Sequence, residues 1–199
     1  TPFYTNLAIW VGGIVLIAIF KLESDKDEVV PKFTAVQSYF GRWMLYVVMG
    51  LIQSLIICVG DLLLLGVQCK SPAAFIFAGL FTSFVYVNII YTFTVSFGDV
   101  GKAICVVLLV MQVAGSGSTF PIEVAPEIFQ KIYPFLPFTH SMTAMRECVA
   151  GFYQYTYWAE LGIMCLFLLA SLFLGLVLRK PVIRLNELFI EKLEDTKLM

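Results

Sequence analysis

The stretch GSGSTFPIEVAPEIFQKIYPFLPFTHSMTAMRECVAG, residues 115–151, lies between two strongly apolar runs and narrows the fold more than any other part of the chain. Four prolines, Pro121, Pro126, Pro134 and Pro137, forbid one continuous helix through it. Phe120, Ile122, Ile128, Phe129, Ile132, Tyr133, Phe135, Leu136 and Phe138 make it too apolar for an exposed connection. A segment that is neither a plain membrane span nor a polar loop is expected to fold back into a membrane or against other helices.

Local signals divide this stretch into two short helices. Pro126 suits the first turn of one helix, whose Ile128, Phe129, Ile132 and Tyr133 face away from Glu127, Gln130 and Lys131. Pro134 and Pro137 then break the chain, Thr139 is a candidate N-cap for a second helix, and Gly151 a candidate stop. Pro121, Pro134 and Pro137 are therefore the expected hinges of a re-entrant helical hairpin over residues 119–151. Non-helical backbone at membrane depth is tolerated only where protein or water satisfies it, so the hairpin is expected to pack on neighbouring spans.

The flanking chain is membrane-like throughout. Of 199 residues, 60% are hydrophobic and 14% charged, with a mean hydropathy of +0.89. Soluble domains carry about 25% charged residues, so an all-α polytopic membrane protein is expected. A formal net charge of −1 and the lack of a basic stripe argue against nucleic acid. Five windows approach the ~20 residues needed to cross hydrocarbon. They are residues 4–22, 43–67, 72–97, 102–118 and 158–178, and together they form a single membrane domain over 1–199. The first window follows no basic segment and precedes no small-residue cleavage site, so it reads as a span rather than a signal peptide. The sequence does not begin with Met, and a piece of something longer is expected.

The positive-inside rule sets the expected orientation. With the N-terminus outside, Lys21, Lys26, Lys32, Arg42, Lys102, Arg179, Lys180, Arg184, Lys192 and Lys197 fall inside, against Lys70, Lys131 and Arg146 outside. The hairpin then sits on the outer side before the last span, and the tail 179–199 is cytoplasmic in a multi-pass plasma-membrane protein. Inner loop 23–42 offers Phe33, Val36, Gln37 and Phe40 at helical spacing after Pro31, the pattern of an amphipathic surface helix. In the tail, Leu185, Leu188, Phe189 and Leu193 share one stripe, which suits either a docking helix or a surface-lying terminus.

Motifs for soluble chemistry are missing from the sequence. Gly98-Asp99-Val100-Gly101-Lys102-Ala103 lacks both the glycine spacing and the hydroxyl residue of a phosphate-binding loop, and reads as a tight inner turn. His140 is the only histidine, and no nucleophile elbow or HExxH run accompanies it. Local packing or capping is its expected role. Five scattered cysteines lack ligand spacing and read as apolar fillers, although Cys69 and Cys148 both fall on the expected outer side. No enzyme activity, catalytic residue, cofactor or metal site is expected.

Three charged residues near the membrane stand out. Asp61 lies inside a window, about 27 Å of helix beyond Trp43 at ~1.5 Å per residue, hence near the outer interface. Lys70, Lys131 or Arg146 could pair with it there, which favours a structural anchor over an ion or substrate site. Arg146 and Glu147, in the second arm of the hairpin, either line an exit path or tie the hairpin to Asp61 and to neighbouring carbonyls.

The stretch FPIEVAPEIFQKIYPFLPFTHSMTAMRECVAG resembles the C-terminal membrane domain of the phage-infection-protein (YhgE/Pip) family. The opening TPFYTNLAIWVGG and closing KPVIRLNELFIEKLEDTKLM are similar to the ends of that domain. The hairpin alone resembles the wider superfamily of type-2 ABC exporter permeases. These resemblances imply a six-span permease fold in which the five windows are the second to sixth spans, preceded by a first span and a large extracellular region. They also imply a homodimer, and a coupling helix in residues 23–42 that would touch a separate ATPase. Two functions follow from the resemblance. One is export or envelope-related transport with that ATPase. The other is a non-transporting anchor that dimerises a surface region used by phage or by a type VII secretion apparatus.

Overall fold

The computed structural model describes residues 1–20, 35–117 and 121–178. Seven α-helices follow one another there: α1 Pro2–Ile19, α2 Ala35–Leu63, α3 Pro72–Phe97, α4 Asp99–Gly115, α5 Glu127–Ile132, α6 Pro137–Ala150 and α7 Gln154–Phe173. Short 3-10 turns at Ile122–Val124 and Tyr133–Phe135 flank α5, and a π-helical turn, Leu174–Leu178, extends α7. Among the described residues the protein is all helical.

Among the described residues four helices are long and apolar enough to cross a bilayer: Pro2–Ile19, Phe40–Leu63, Pro72–Phe97 and Gln154–Leu176. Where residues 102–118 were expected to form a span, the chain forms α4, which has 17 residues. At ~1.5 Å per residue α4 is about 25 Å long, shorter than the ~30 Å hydrocarbon core.

Helix α3 is the axis of the bundle. In its apolar window 61% of residues are buried, against 22–39% for the other three long helices. It packs on α1, α2, α4, α6 and α7, so its sequence is apolar on every side rather than along one stripe. Several of its buried polar residues are bonded across helices, whereas the Thr82 and Ser96 hydroxyls have no partner among the described residues. The Ser83 hydroxyl donates to the Gly50 carbonyl of α2 at 2.8 Å. The Asn88 side chain accepts from the Trp43 indole at 2.8 Å and donates to the Ser171 hydroxyl, joining α2, α3 and α7.

Glycines permit the closest approaches between helices. A Cβ on Gly12 would stand 1.5 Å from the Gln53 amide of α2. One on Gly101 would stand 2.1 Å from the Phe93 carbonyl oxygen, because α3 and α4 leave their shared turn almost in backbone contact. That turn needs Gly98 at φ 61, and an exposed Lys102–Asp99 pair at 2.8 Å closes it. Residues 98–103 are thus a tight turn leading into a helix.

Several boundaries differ from expectation for local reasons. The expected window 43–67 ends early, since α2 stops at Leu63 and Gly66 turns the chain at φ 62. From Ala35 onward the expected amphipathic segment is already part of α2, while residues 21–34 lie outside the described residues. The tail 179–199 also lies outside them. Thr139 is not an N-cap. Pro137 occupies the first turn of α6, Leu136 precedes it as the cap, and the buried Thr139 hydroxyl has no hydrogen-bond partner among the described residues. Pro126 likewise caps α5 instead of entering its first turn, whereas Gly151 does end α6.

Candidate functional site

The two arms of the proline-broken segment have opposite surroundings. In α5 no residue is buried, and Gln130 folds back to donate to the carbonyls of Glu123 and Ala125. Lys131 stands 3.8 Å from Glu127 in an exposed pair, an arrangement that contributes little. In α6, by contrast, Pro137, Phe138, Thr139, His140, Ser141, Met142, Ala144, Met145 and Cys148 are all buried. Helix α6 packs on α1, α3, α4 and α7, mostly through apolar side chains, with Ser141 and His140 adding polar bonds to its neighbours.

Ser141 forms the centre of one junction. Its hydroxyl lies 2.5 Å from the Tyr86 hydroxyl of α3 and donates to the Asn6 side-chain oxygen of α1 at 2.6 Å. Tyr86 also donates to that oxygen at 3.1 Å, so one acceptor joins three helices. The Asn6 amide nitrogen is satisfied by the Pro2 carbonyl at 2.8 Å and the Met145 sulfur at 3.2 Å. All three polar residues are buried, and every one has partners, the condition under which a buried network makes a unique arrangement rigid.

His140 forms the second junction, where α6 meets α7. Its Nδ1 lies 2.6 Å from the Glu160 carboxylate of α7, and its Nε2 lies 2.9 Å from the Pro134 carbonyl. Both partners accept hydrogen bonds, so the doubly protonated imidazolium is the form that satisfies both. Burial pulls the pKa of this ring down, but the hydrogen bonds from Glu160 and Pro134 and the charge of Glu160 outweigh it and hold the pKa above the usual histidine range. His140 therefore ties α6 to α7 and to the 3-10 turn at Pro134, a larger role than local packing.

A third junction closes the far end of α6. The Cys148 carbonyl accepts from the amides of Lys70 and Ser71 at 3.1 and 3.2 Å, and from the Cys69 thiol at 3.1 Å. The loop between α2 and α3 thus captures the last turn of α6. Nearby, the Tyr157 hydroxyl donates to the Ala74 carbonyl at 2.9 Å. Cys69 and Cys148 do come together, yet both are free thiols, and desolvation with nearby negative charge pushes Cys148 up to about 12.

Asp61 has a partner other than those its charge suggested. It is buried, and its carboxylate accepts a short hydrogen bond from the Thr5 hydroxyl of α1. Lys131 pairs with Glu127, and Arg146 points outward with no ion pair among the described residues. Glu147 is half-buried and accepts from the Tyr153 amide at 3.2 Å, while its carbonyl caps the end of α6 through Gly151 and Phe152. Of the prolines expected to act as hinges, Pro121 precedes the first 3-10 turn, Pro134 lies in the second, and Pro137 opens α6. Thr5, Asn6, Tyr86, Ser141 and Glu160 are among the members of these junctions that sequence reading missed. Glu160 alone carried a signal, as an acidic residue just inside an apolar window.

A bundle of apolar helices around α3, with the second helix of a proline-broken pair locked among them by buried polar bonds, defines a polytopic membrane domain. Residues 29–177 match the family described as ABC-2 family transporter protein, and the chain belongs to that family. It is also 31% identical over 165 residues to "Uncharacterized protein YhgE" of Bacillus subtilis (strain 168). That likeness covers 82% of this chain and 21% of the relative, and agrees with the resemblance to the YhgE/Pip family. The chain thus spans about a fifth of the length of the curated relative it matches. No solved structure matches it.

Proposed function

We propose that this chain is the membrane domain of an exporter that moves an envelope-related or amphipathic substrate with a separate ATPase. The observation that carries this reading is the anchorage of α6. A short, proline-started helix is fastened to α1 and α3 through Asn6, Tyr86 and Ser141, and to α7 through His140 and Glu160. A helix so fastened follows any shift of the long helices, and this is what a gate coupled to a transport cycle requires. In this reading α5 and α6 form a re-entrant hairpin at the outer face, the N-terminus of the domain lies outside, and two copies work as a pair. Asp61 serves as a structural anchor for α1.

Purification of the protein from its native membrane tests the proposal. A nucleotide-binding subunit should co-purify, and its ATP turnover in nanodiscs should respond to the membrane domain. If no such subunit is recovered under conditions that preserve the dimer, the exporter reading fails.

The relative's much greater length favours a second reading, in which this domain anchors and pairs a surface region used by phage or a secretion apparatus. Removing only that surface region would then abolish phage infection while leaving the membrane domain assembled. Infection that persists after the removal excludes the receptor version.

A further inference from the structure

Gln112 of α4 is completely buried, and neither its Oε1 nor its Nε2 meets a hydrogen-bond partner among the described residues. Apolar surroundings make an unpaired amide costly, and a membrane-embedded bundle offers little water to relieve it. The side chain lines a cavity of about 220 Å³ bounded by α1, α3, α4, α7 and the start of α6. Ile89, Leu108, Phe167 and Leu174 supply apolar wall, and no charged side chain among the described residues lines the cavity.

Other polar groups of the wall are committed elsewhere. The Trp10 indole donates to the Cys105 carbonyl at 3.3 Å, and the Ser171 hydroxyl serves Asn88 and the Leu168 carbonyl. Gln112 therefore holds an unpaired amide, two N–H donors and a carbonyl acceptor, at the wall of an apolar chamber. A ligand suited to it must be neutral, since a charge would lose its hydration without a counter-charge. Cavities of about 150 Å³ hold benzene, so this one takes a group of about nine non-hydrogen atoms.

We propose that this cavity is a binding site for a small neutral amphipath, whose hydroxyl, primary amide or protonated carboxyl engages the Gln112 side-chain amide while its hydrocarbon lies against Leu108 and Phe167. The site stands whether or not the chain works as an exporter, because it rests on the cavity and on Gln112 alone.

Photolabelling tests it. The protein in phosphatidylcholine nanodiscs is irradiated with an octanol carrying a diazirine, and labelled peptides are mapped by mass spectrometry. Label is expected on Leu108, Phe167 or Leu174. Excess octan-1-ol should displace it, competing about fivefold better than n-nonane of similar size, the factor that one hydrogen bond supplies. Gln112→Leu should lose the same label and the discrimination between octanol and nonane. That variant should melt no lower than the parent, since it removes an unpaired amide, so misfolding would not explain the loss. Ile89→Phe, which fills the chamber, provides an independent loss of label with the melting temperature checked in parallel. Label absent from these residues, or label that Gln112→Leu and octan-1-ol leave unchanged, overturns the proposal.

Discussion

His140 and Glu160 meet at 2.6 Å across the α6–α7 interface, and the other ring nitrogen of His140 faces the Pro134 carbonyl at 2.9 Å. One side chain thus joins α7, α6 and the 3-10 turn that precedes α6. Replacing His140 by Ala strands the Glu160 carboxylate in a largely buried position and should cost about 1–3 kcal/mol. Glu160→Gln keeps a hydrogen-bond acceptor for one ring nitrogen and should cost less. Thermal melting of the detergent-purified protein ranks the two; equal midpoints for parent and His140→Ala would remove this junction from the account.

The same pair predicts a pH dependence. The folded pKa of His140 is raised, so its contribution is fully present below the unfolded value of about 6.5 and disappears as pH rises through the folded value. The melting temperature of the parent should therefore fall on the alkaline side relative to His140→Gln, whose profile lacks that step. Parallel profiles for the two proteins would show that the ring does not titrate with folding.

Ser141, Tyr86 and Asn6 should behave as one unit. Asn6→Leu removes the acceptor that Ser141 and Tyr86 share and should destabilise by about 1–3 kcal/mol, whereas Tyr86→Phe should cost about 1 kcal/mol. The double variant should cost less than the sum, because the second change deletes a group already deprived of its partner. Strict additivity in melting experiments would argue that the bonds act independently.

Two glycines offer a matched pair. Gly101→Ala would place a Cβ 2.1 Å from the Phe93 carbonyl oxygen, so α3 and α4 must separate, at a cost of about 1–3 kcal/mol. Gly162 in α7 has open space around it, and Gly162→Ala should be neutral or stabilise by up to about 1 kcal/mol through helix propensity. Similar melting temperatures for the two variants would contradict the close α3–α4 approach.

Asp61→Asn preserves an acceptor for the Thr5 hydroxyl and should leave folding and assembly close to normal. If Asp61 is only an anchor, export or phage sensitivity should also survive. Normal assembly with lost function would instead assign the carboxylate a part in ion or substrate handling.

Much of the architecture was legible in the chain itself. Mean hydropathy marked the membrane class, long apolar runs marked the helices now seen as α1, α2, α3 and α7, and the four prolines marked a broken helix pair before α7. These features are local: hydropathy and proline chemistry act on a residue and its near neighbours, whatever lies across the interface. The boundary at Leu63 and the start of α6 at Pro137 were less legible, since two local signals competed at each place and backbone geometry chose between them.

Only the tertiary structure decided the partners. Asp61 pairs with Thr5 from 56 positions away, and Ser141 meets Tyr86 from 55 and Asn6 from 135. Opposite charge suggested Lys70, Lys131 or Arg146 for Asp61, but pairing depends on how each helix is rotated about α3. Gln112 shows the same limit from the other side. Its burial within an apolar chamber is set by how the surrounding helices pack together, because the pattern along one helix records which residues share a face and not what that face meets.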